Sequence, residues 1–367
     1  MGTARRCGLP GAALLSVCLV AVLGLGCPTR SRPGNRRMPT PSVALQTLDA
    51  DPRSRTCLAT IAARRSPDGQ ETHSVLVVNA WGQLLLRYQT AGQVFGSVSW
   101  SSDSSCIAFS AGDRAAGSEV FVASPATGAV RELRYVASYV RYALTPVVHG
   151  SRLYLQSPDG LWASDMDRET AWKICGDATV GLRPEAALAS DGSIFFWRCR
   201  PDRHGQPKSH LCSYDDGHGL RDYSLVSRAG GSIIFDEKRA IMAVTTPILE
   251  GRNTGSARVT LFNPSDGRTR CLNDIASDER VHWDRSGQRL LLERSSDEGD
   301  PGIIGALNVT TGEAQAFYCA DGTLLRGHVP QWIDAPRGIA FLRDGRLYLY
   351  RFADRSITCL YDATVGP

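Results

Sequence analysis

The stretch VFGSVSW-SSDSS-CIAFSA-GDRAAGS-EVFVAS-PATG-AVRELR, residues 94–134, decides the fold. Four short runs of apolar and β-branched residues alternate with clusters of Ser, Asp, Gly and Pro. Such clusters make tight turns, and runs this short with a period near two are strands rather than helices. The same order returns at 280–318 as RVHW, DRSGQ, RLLLER, a loop, IIGALN, VTTG and EAQAFY. It returns again at 330–361 as PQW, IDAPR, GIAFLR, DG, RLYLYR, FADR and SITCLY. The first strand of each of these three units ends in a tryptophan: Trp100, Trp283 and Trp332.

Working outward, a central apolar strand recurs seven times. It reads TCLATIA (56–62), SCIAFSA (105–111), SRLYLQS (151–157), SIFFWRC (193–199), RAIMAVT (239–245), RLLLERS (289–295) and GIAFLRD (338–344). Successive starts differ by 49, 46, 42, 46, 50 and 49 residues. Four strands repeated every 40–50 residues or so is the pattern of a propeller blade. The expected fold is therefore all-β, a single β-propeller over 43–367 with seven four-stranded blades. Six blades plus an extra sheet element is the alternative. The recurrent Trp, Phe and Leu residues are expected in the packing between blades, and the recurrent Asp and Gly in turns.

The motif W-s-x-D/S-G-x-x-I-A-F, clear in units two, six and seven, resembles the TolB-type propeller repeat, a relative of the WD repeat. Units one, three, four and five keep the strand rhythm and lose the Trp. The resemblance covers nearly all of residues 43–367 and implies the propeller fold. TolB itself carries an α/β domain ahead of its propeller, and residues 1–42 leave no room for one, so TolB's partners are not carried over.

Those first residues read as an address. Arg5 and Arg6 precede the apolar, uncharged run 11–26, about 16 residues and shorter than the ~20 of a membrane span. It ends in Leu23-Gly24-Leu25-Gly26-Cys27, which resembles a bacterial lipobox, with Cys27 as the lipidated residue. Ordinary signal-peptidase cleavage nearby is the alternative. Residues 27–42 then form a tether rich in Pro and Arg, with Arg30, Arg32, Arg36 and Arg37 and no acid. Processing lowers the net charge from +4 to +2, since residues 1–26 carry two Arg and no acid. That balance argues against nucleic acid as a partner. The expected location is a bacterial membrane, with the propeller in the periplasm or at the cell surface and envelope or membrane-associated proteins as partners.

Eight cysteines lie beyond Cys27, an even number that permits disulfides in an exported chain. A tight turn at Gly205-Gln206 would set Cys199 opposite Cys212, the expected pair. The loops between second and third strands gather on one face of a propeller and read as long: 63–74, 111–118, 200–208, 246–257 and 294–302. They carry Arg64, Arg65, Arg114, Arg203 and Arg252 among mixed charges, the expected binding surface. Arg141, Glu185, His282 and His328 are the candidates near the central channel. His204, His210 and His218, three of seven histidines within 15 residues, form a candidate metal group, although their spacing aims no rings at one point. The sequence carries no GxSxG elbow, HExxH, P-loop or EF-hand loop. The reading is a non-catalytic interaction scaffold that needs no cofactor. A propeller enzyme or ligand binder working at the channel, and a metal-binding protein, are the alternatives.

Overall fold

In the computed structural model each repeat folds as one four-stranded antiparallel meander, paired in chain order. The sheets span 42–89, 93–132, 147–175, 187–227, 232–275, 282–316 and 328–362, here blades 1 to 7. The structure describes residues 42–365 apart from 67, 114–115, 145, 177–186, 190, 228–231, 237–240, 248–256, 276–280, 285–286 and 295–300. The six-bladed alternative is thereby excluded. A single short 3-10 turn, Arg134–Ser138, is the only helical element among the described residues.

The second strands fall on the seven apolar runs: Cys57–Arg65, Ile107–Asp113, Arg152–Ser157, Ile194–Pro201, Ile241–Pro247, Arg289–Arg294 and Arg337–Arg343. Leu58 to Ile61 and Ile107 to Ala111 are buried residue after residue, on both faces of the sheet. An inner strand of a blade has a neighbouring blade on each side, so neither face can be polar. Apolar clusters fill all seven gaps between consecutive blades. Between blades 1 and 2, for example, Ile61, Val75 and Val77 meet Phe109, Phe121 and Trp100.

The tryptophans do more than fill space. Trp100 Nε1 donates to the carbonyl of Asp49 in blade 1 at 3.1 Å, and Trp283 Nε1 to that of Ile234 in blade 5 at 3.2 Å. Each indole ends the first strand of its blade and ties it to the first strand of the blade before. Buried indole N–H groups need such a partner.

Among the described residues no strand crosses between the first and last blades, so packing closes the ring. Leu48, Leu58 and Val78 of blade 1 pack on Ile333, Ala340, Leu347 and Leu349 of blade 7. Buried Gln331 donates from Nε2 to the Leu48 carbonyl at 2.8 Å.

Two expectations fail on register. The blade 4 hairpin turns at 202–206, where Asp202 N–H donates to the Gln206 carbonyl at 2.8 Å. That sets Pro201 against Pro207, Cys199 against Ser209 and Phe196 against Cys212. Cys199 thus lies three residues from the position opposite Cys212, and on the other face of the sheet, because side chains alternate. Both cysteines are free thiols. Cys212 instead donates from Sγ to Asp222 Oδ1 at 2.8 Å. Burial, with help from the Asp222 carboxylate, pushes its thiol well above the ordinary range. The long loops also shrink. In blades 1, 2 and 4 the flanking strands stay paired out to Arg65 and Glu71, Asp113 and Gly117, and Pro201 and Pro207. In blade 4 only 202–206 remains as a tip.

Candidate functional site

In a meander of this kind the turn between strands two and three and the connection from strand four to the next blade lie at the same end. Both are therefore on one face of the propeller. On that face the blade 1 and blade 4 hairpins project as hydrogen-bonded ribbons, and a cleft of about 830 Å³ opens at blade 2. Arg64 and Arg65 belong to the blade 1 ribbon and Arg203 to the blade 4 tip, so this part of the expected surface stands on strands and a tight turn. Arg114, Arg252 and Glu185 lie outside the described residues, as do Cys27 and the tether.

The cleft grows out of the blade 1–blade 2 packing. On one face of the blade 2 sheet, Phe109, Ala111 and Asp113 follow one another at every second position. Register pairs Phe109 with Phe121, Ala111 with Glu119, and Phe121 with Glu132. Low on this face Phe109, Phe121 and Tyr88 of blade 1 pack together, with ring centroids 5.2–5.7 Å apart. Towards the hairpin tip apolar side chains give way to Glu119 and Asp113, with Glu132 level with Phe121 on the outer strand, and the cleft opens among them.

Backbone alone forms one wall. A Cβ on Gly92 would meet the Gly112 carbonyl oxygen at 2.4 Å, and one on Gly117 (φ +119°) the Arg141 carbonyl at 2.8 Å. Buried Ser118 pins the segment that follows blade 2, its N–H donating to the Arg141 carbonyl at 2.9 Å and its Oγ accepting from Ala143 N–H at 2.7 Å. Arg141, expected at the channel, lines this cleft, its guanidinium 5.5 Å from the ring of Tyr142. Tyr88, Glu119, Phe121 and Glu132 were missed in the sequence. Their signal was the period-two change from apolar to acidic in Phe109-x-Ala111-x-Asp113 and in Glu119-x-Phe121.

His328 begins the first strand of blade 7. Its Nδ1 lies 2.8 Å from Glu293 Oε1, and Val329 N–H donates to Glu293 Oε2 at 2.9 Å. Glu293 is buried and the imidazole half exposed. Val329 is held at φ +49°, a region costly for a β-branched residue by about 1–3 kcal/mol. His282 occupies the corresponding strand of blade 6. Of the two histidines, His328 has the buried Glu293 carboxylate as its partner.

The histidine group does not assemble. His204 sits in the hairpin turn at 202–206 and His210 on the strand Pro207–Asp215. His218 lies at the other end of that strand, in a turn where its Nδ1 approaches Asp215 Oδ1 at 3.0 Å. Five residues of strand, about 16 Å at 3.3 Å per residue, separate His210 from Asp215, where the strand ends and the His218 turn begins. Among the described residues no three His, Cys, Asp or Glu side chains come together as metal ligands. His204 and His210 line a groove with Arg200, Arg203 and Lys208, the basic part of the face. Lys208 Nζ lies 3.1 Å from Asp202, and Arg200 2.8 Å from Asp222.

No family model and no curated protein matches the chain. Many solved structures do. The β-propeller domain of the Trilobed protease from Pyrococcus furiosus, described as having an open velcro topology, is 10% identical with a TM-score of 0.58, covering 88% of this chain and 96% of that one. An acylaminoacyl peptidase in complex with a chloromethyl ketone is 12% identical with a TM-score of 0.57, covering 88% of this chain and 52% of the other. TolB from Acinetobacter baumannii is 11% identical with a TM-score of 0.48, covering 75% and 79%. At these identities the likeness is one of fold. The chain is a seven-bladed β-propeller whose structural neighbours include TolB and other propeller domains.

Proposed function

We propose that this chain is a lipid-anchored, non-catalytic interaction scaffold of a bacterial envelope. Residues 1–26 direct export, Cys27 carries the lipid, and the tether joins it to a propeller that binds envelope or membrane-associated proteins. The observation that carries the reading is the cleft at blade 2. It has a packed aromatic floor, a rim of charged side chains and a wall of backbone held by Ser118. An apolar centre within a polar rim, formed in advance on rigid strands, is the anatomy of a protein-binding surface. Confinement by the lipid raises the effective concentration toward partners in the same membrane without any new contact.

A photo-crosslinking side chain placed in cells at Gln70 or Gln206, on the hairpin tips, is expected to capture a small, recurrent set of envelope proteins. The same group at Thr127, in a turn on the opposite face, is expected to capture none of them. Equal capture from both faces, or from neither, would contradict the reading.

The Glu293–His328 pair supports a second reading, a ligand-binding or catalytic site near the channel. A buried carboxylate on Nδ1 fixes the tautomer of an imidazole and leaves Nε2 as an acceptor. Turnover or ligand binding lost in His328→Gln, with hairpin capture absent, would favour it.

A further inference from the structure

We infer that the exposed corner of blade 1 formed by Trp81, Leu84 and Leu85 docks on the lipid surface to which the chain is anchored, with the Trp81 indole at the level of the headgroups. This rests on the reading that Cys27 carries a lipid, and it adds which part of the propeller meets the bilayer.

One tryptophan starts the argument. Of the seven in the chain, Trp81 alone is exposed, at 65%, and the other six are buried or half-buried. A side chain this large is highly buried on average. Its turn holds it in the open. Asn79 Oδ1 accepts the N–H groups of Trp81 at 3.0 Å and Gln83 at 2.9 Å, and Asn79 Nδ2 donates to Gln83 Oε1 at 2.8 Å. Ala80 N–H donates to the Thr56 carbonyl at 2.7 Å, which ties the turn to the start of the second strand. Gly82, at φ +84°, passes so close to blade 7 that a Cβ would stand 2.9 Å from the Leu360 carbonyl oxygen. The turn is therefore fixed before any contact is made, and docking it costs little ordering.

The turn leads into the outermost strand of the blade, Leu84–Gln89. Leu84 pairs with Val78 and Leu86 with Val77, so Leu85 is the extra residue of a bulge. Leu86 is buried, while Leu84 and Leu85 stay 43% and 38% exposed. One indole and two leucines thus follow one another at the outer corner of blade 1.

The chain ahead of the propeller decides what covers this corner. It enters blade 1 at Ser42, the first residue of the first strand, and the lipidated position lies 15 residues earlier. Register sets Ser42 level with Arg65, Arg65 level with Glu71, and Cys57 level with Asn79. From Arg65 to Cys57 is eight residues, so Asn79 lies about 26 Å along the blade and about 10 Å, two strand spacings, to the side. That is about 28 Å from Ser42. A Pro-rich tether of this length reaches up to about 46 Å at 3.1 Å per residue. A lipid on Cys27 therefore reaches the bilayer on which Trp81 rests. The chemistry agrees. Tryptophan favours the membrane–water boundary, where its ring is covered and its N–H stays in polar surroundings. Leucines beside it suit the boundary of headgroups and acyl chains. Tethering to the same surface makes even a weak contact effective.

The contact also orients the molecule. Trp81 lies at the opposite end of blade 1 from the hairpin tip between Arg65 and Glu71. Docked at this corner, the propeller turns its hairpin face away from the bilayer and leaves it open to partners.

The test uses the mature, lipidated protein in vesicles of phosphatidylethanolamine and phosphatidylglycerol, with and without bromine on the acyl chains. Flotation of the vesicles reports the anchor, and quenching of tryptophan fluorescence by bromine reports the corner. The parent is expected to be quenched, and Trp81→Phe to lose that quenching several-fold while floating as before. Leu84→Ser/Leu85→Ser keeps Trp81 as the reporter and is expected to be quenched several-fold less, with thermal unfolding matching the parent. A floating parent without quenching, equal quenching in Trp81→Phe, or unchanged quenching in the leucine variant would overturn the inference. So would a dimer in vesicle-free solution that Trp81→Phe dissociates, since the corner would then belong to a second copy. Flotation without quenching leaves the anchor and removes the docked corner. Absence of flotation, with no lipid on Cys27 by mass spectrometry, removes the anchor and the docked corner with it.

Discussion

Asp51 shows how much one turn residue carries. Buried in the first turn of blade 1, its carboxylate accepts Ser54 N–H at 2.7 Å and the N–H groups of Thr56 and Cys57 at 2.8 Å each. Ser104 Oγ, from the matching turn of blade 2, donates to it at 3.2 Å. Burial alone would raise its pKa, but the hydrogen bonds from Cys57, Ser54 and Thr56 outweigh it and hold the carboxyl below the ordinary 3.8. Asp51→Asn puts an NH₂ group where an acceptor is needed. It should cost about 2 kcal/mol, the scale of buried donors left unmet. The sign of the pH dependence follows. A depressed carboxyl stabilises fully above its unfolded value of about 4, and that contribution fades as pH falls through the lower folded value. Urea unfolding of parent and variant should therefore differ at pH 7 and converge as the solution is acidified below about pH 4. A constant gap would show that the carboxylate charge is not what matters. The role of such residues was legible: turn chemistry for Asp, inter-blade packing for Trp100. The partner of each was not, because Asp49 and Ser104 come from neighbouring blades, and which atom meets which is set by tertiary packing.

At the scale of the element, strand existence was legible and strand ends were not. All seven second strands lie on the apolar runs, since burial on both faces leaves a continuous apolar signature. The hairpin extensions at Arg64-Arg65, Glu71-Thr72 and Pro207-Lys208 are exposed or half-buried. Apart from Pro207 their side chains are charged or polar, with surface contacts such as Lys208 to Asp202 and Thr72 to the Arg64 carbonyl, so nothing in their composition separates them from loops. The same blindness moved the blade 4 register and with it the cysteine pair. The mature chain with Cys27→Ala, denatured without reductant, is expected to show all eight thiols: Cys57, Cys106, Cys175, Cys199, Cys212, Cys271, Cys319 and Cys359. Six titratable thiols and a peptide linking Cys199 to Cys212 would contradict the register. The cleft was half legible. Arg141 was singled out in the sequence and Asp113 falls in the expected loop 111–118, but bringing both to one cleft depends on Ser118 bridging a hairpin to a connection 25 residues away.

The whole molecule is a ring with one seam. Blades 1 and 7 are each made from consecutive strands, so the seam rests on Leu48 and its partners and on hydrogen bonds such as Gln331 Nε2 to the Leu48 carbonyl and Asp334 N–H to the Arg55 carbonyl at 3.4 Å. Leu48→Ala removes a fully buried side chain there and should cost about 3 kcal/mol. Ile333→Ala lies in the same cluster, so the two losses should not add. Additive losses by urea unfolding would mean that the two sides of the seam do not feel each other. A ring closed in this way holds its hairpin face rigid, which is what display to a partner requires. The most direct test of that role is in-cell crosslinking of the full-length protein beside Cys27→Ala, with mass spectrometry of the captured species. Recurrent capture of a few envelope proteins, lost or weakened without the anchor, is the expected result. Capture of no reproducible protein partner would contradict the scaffold.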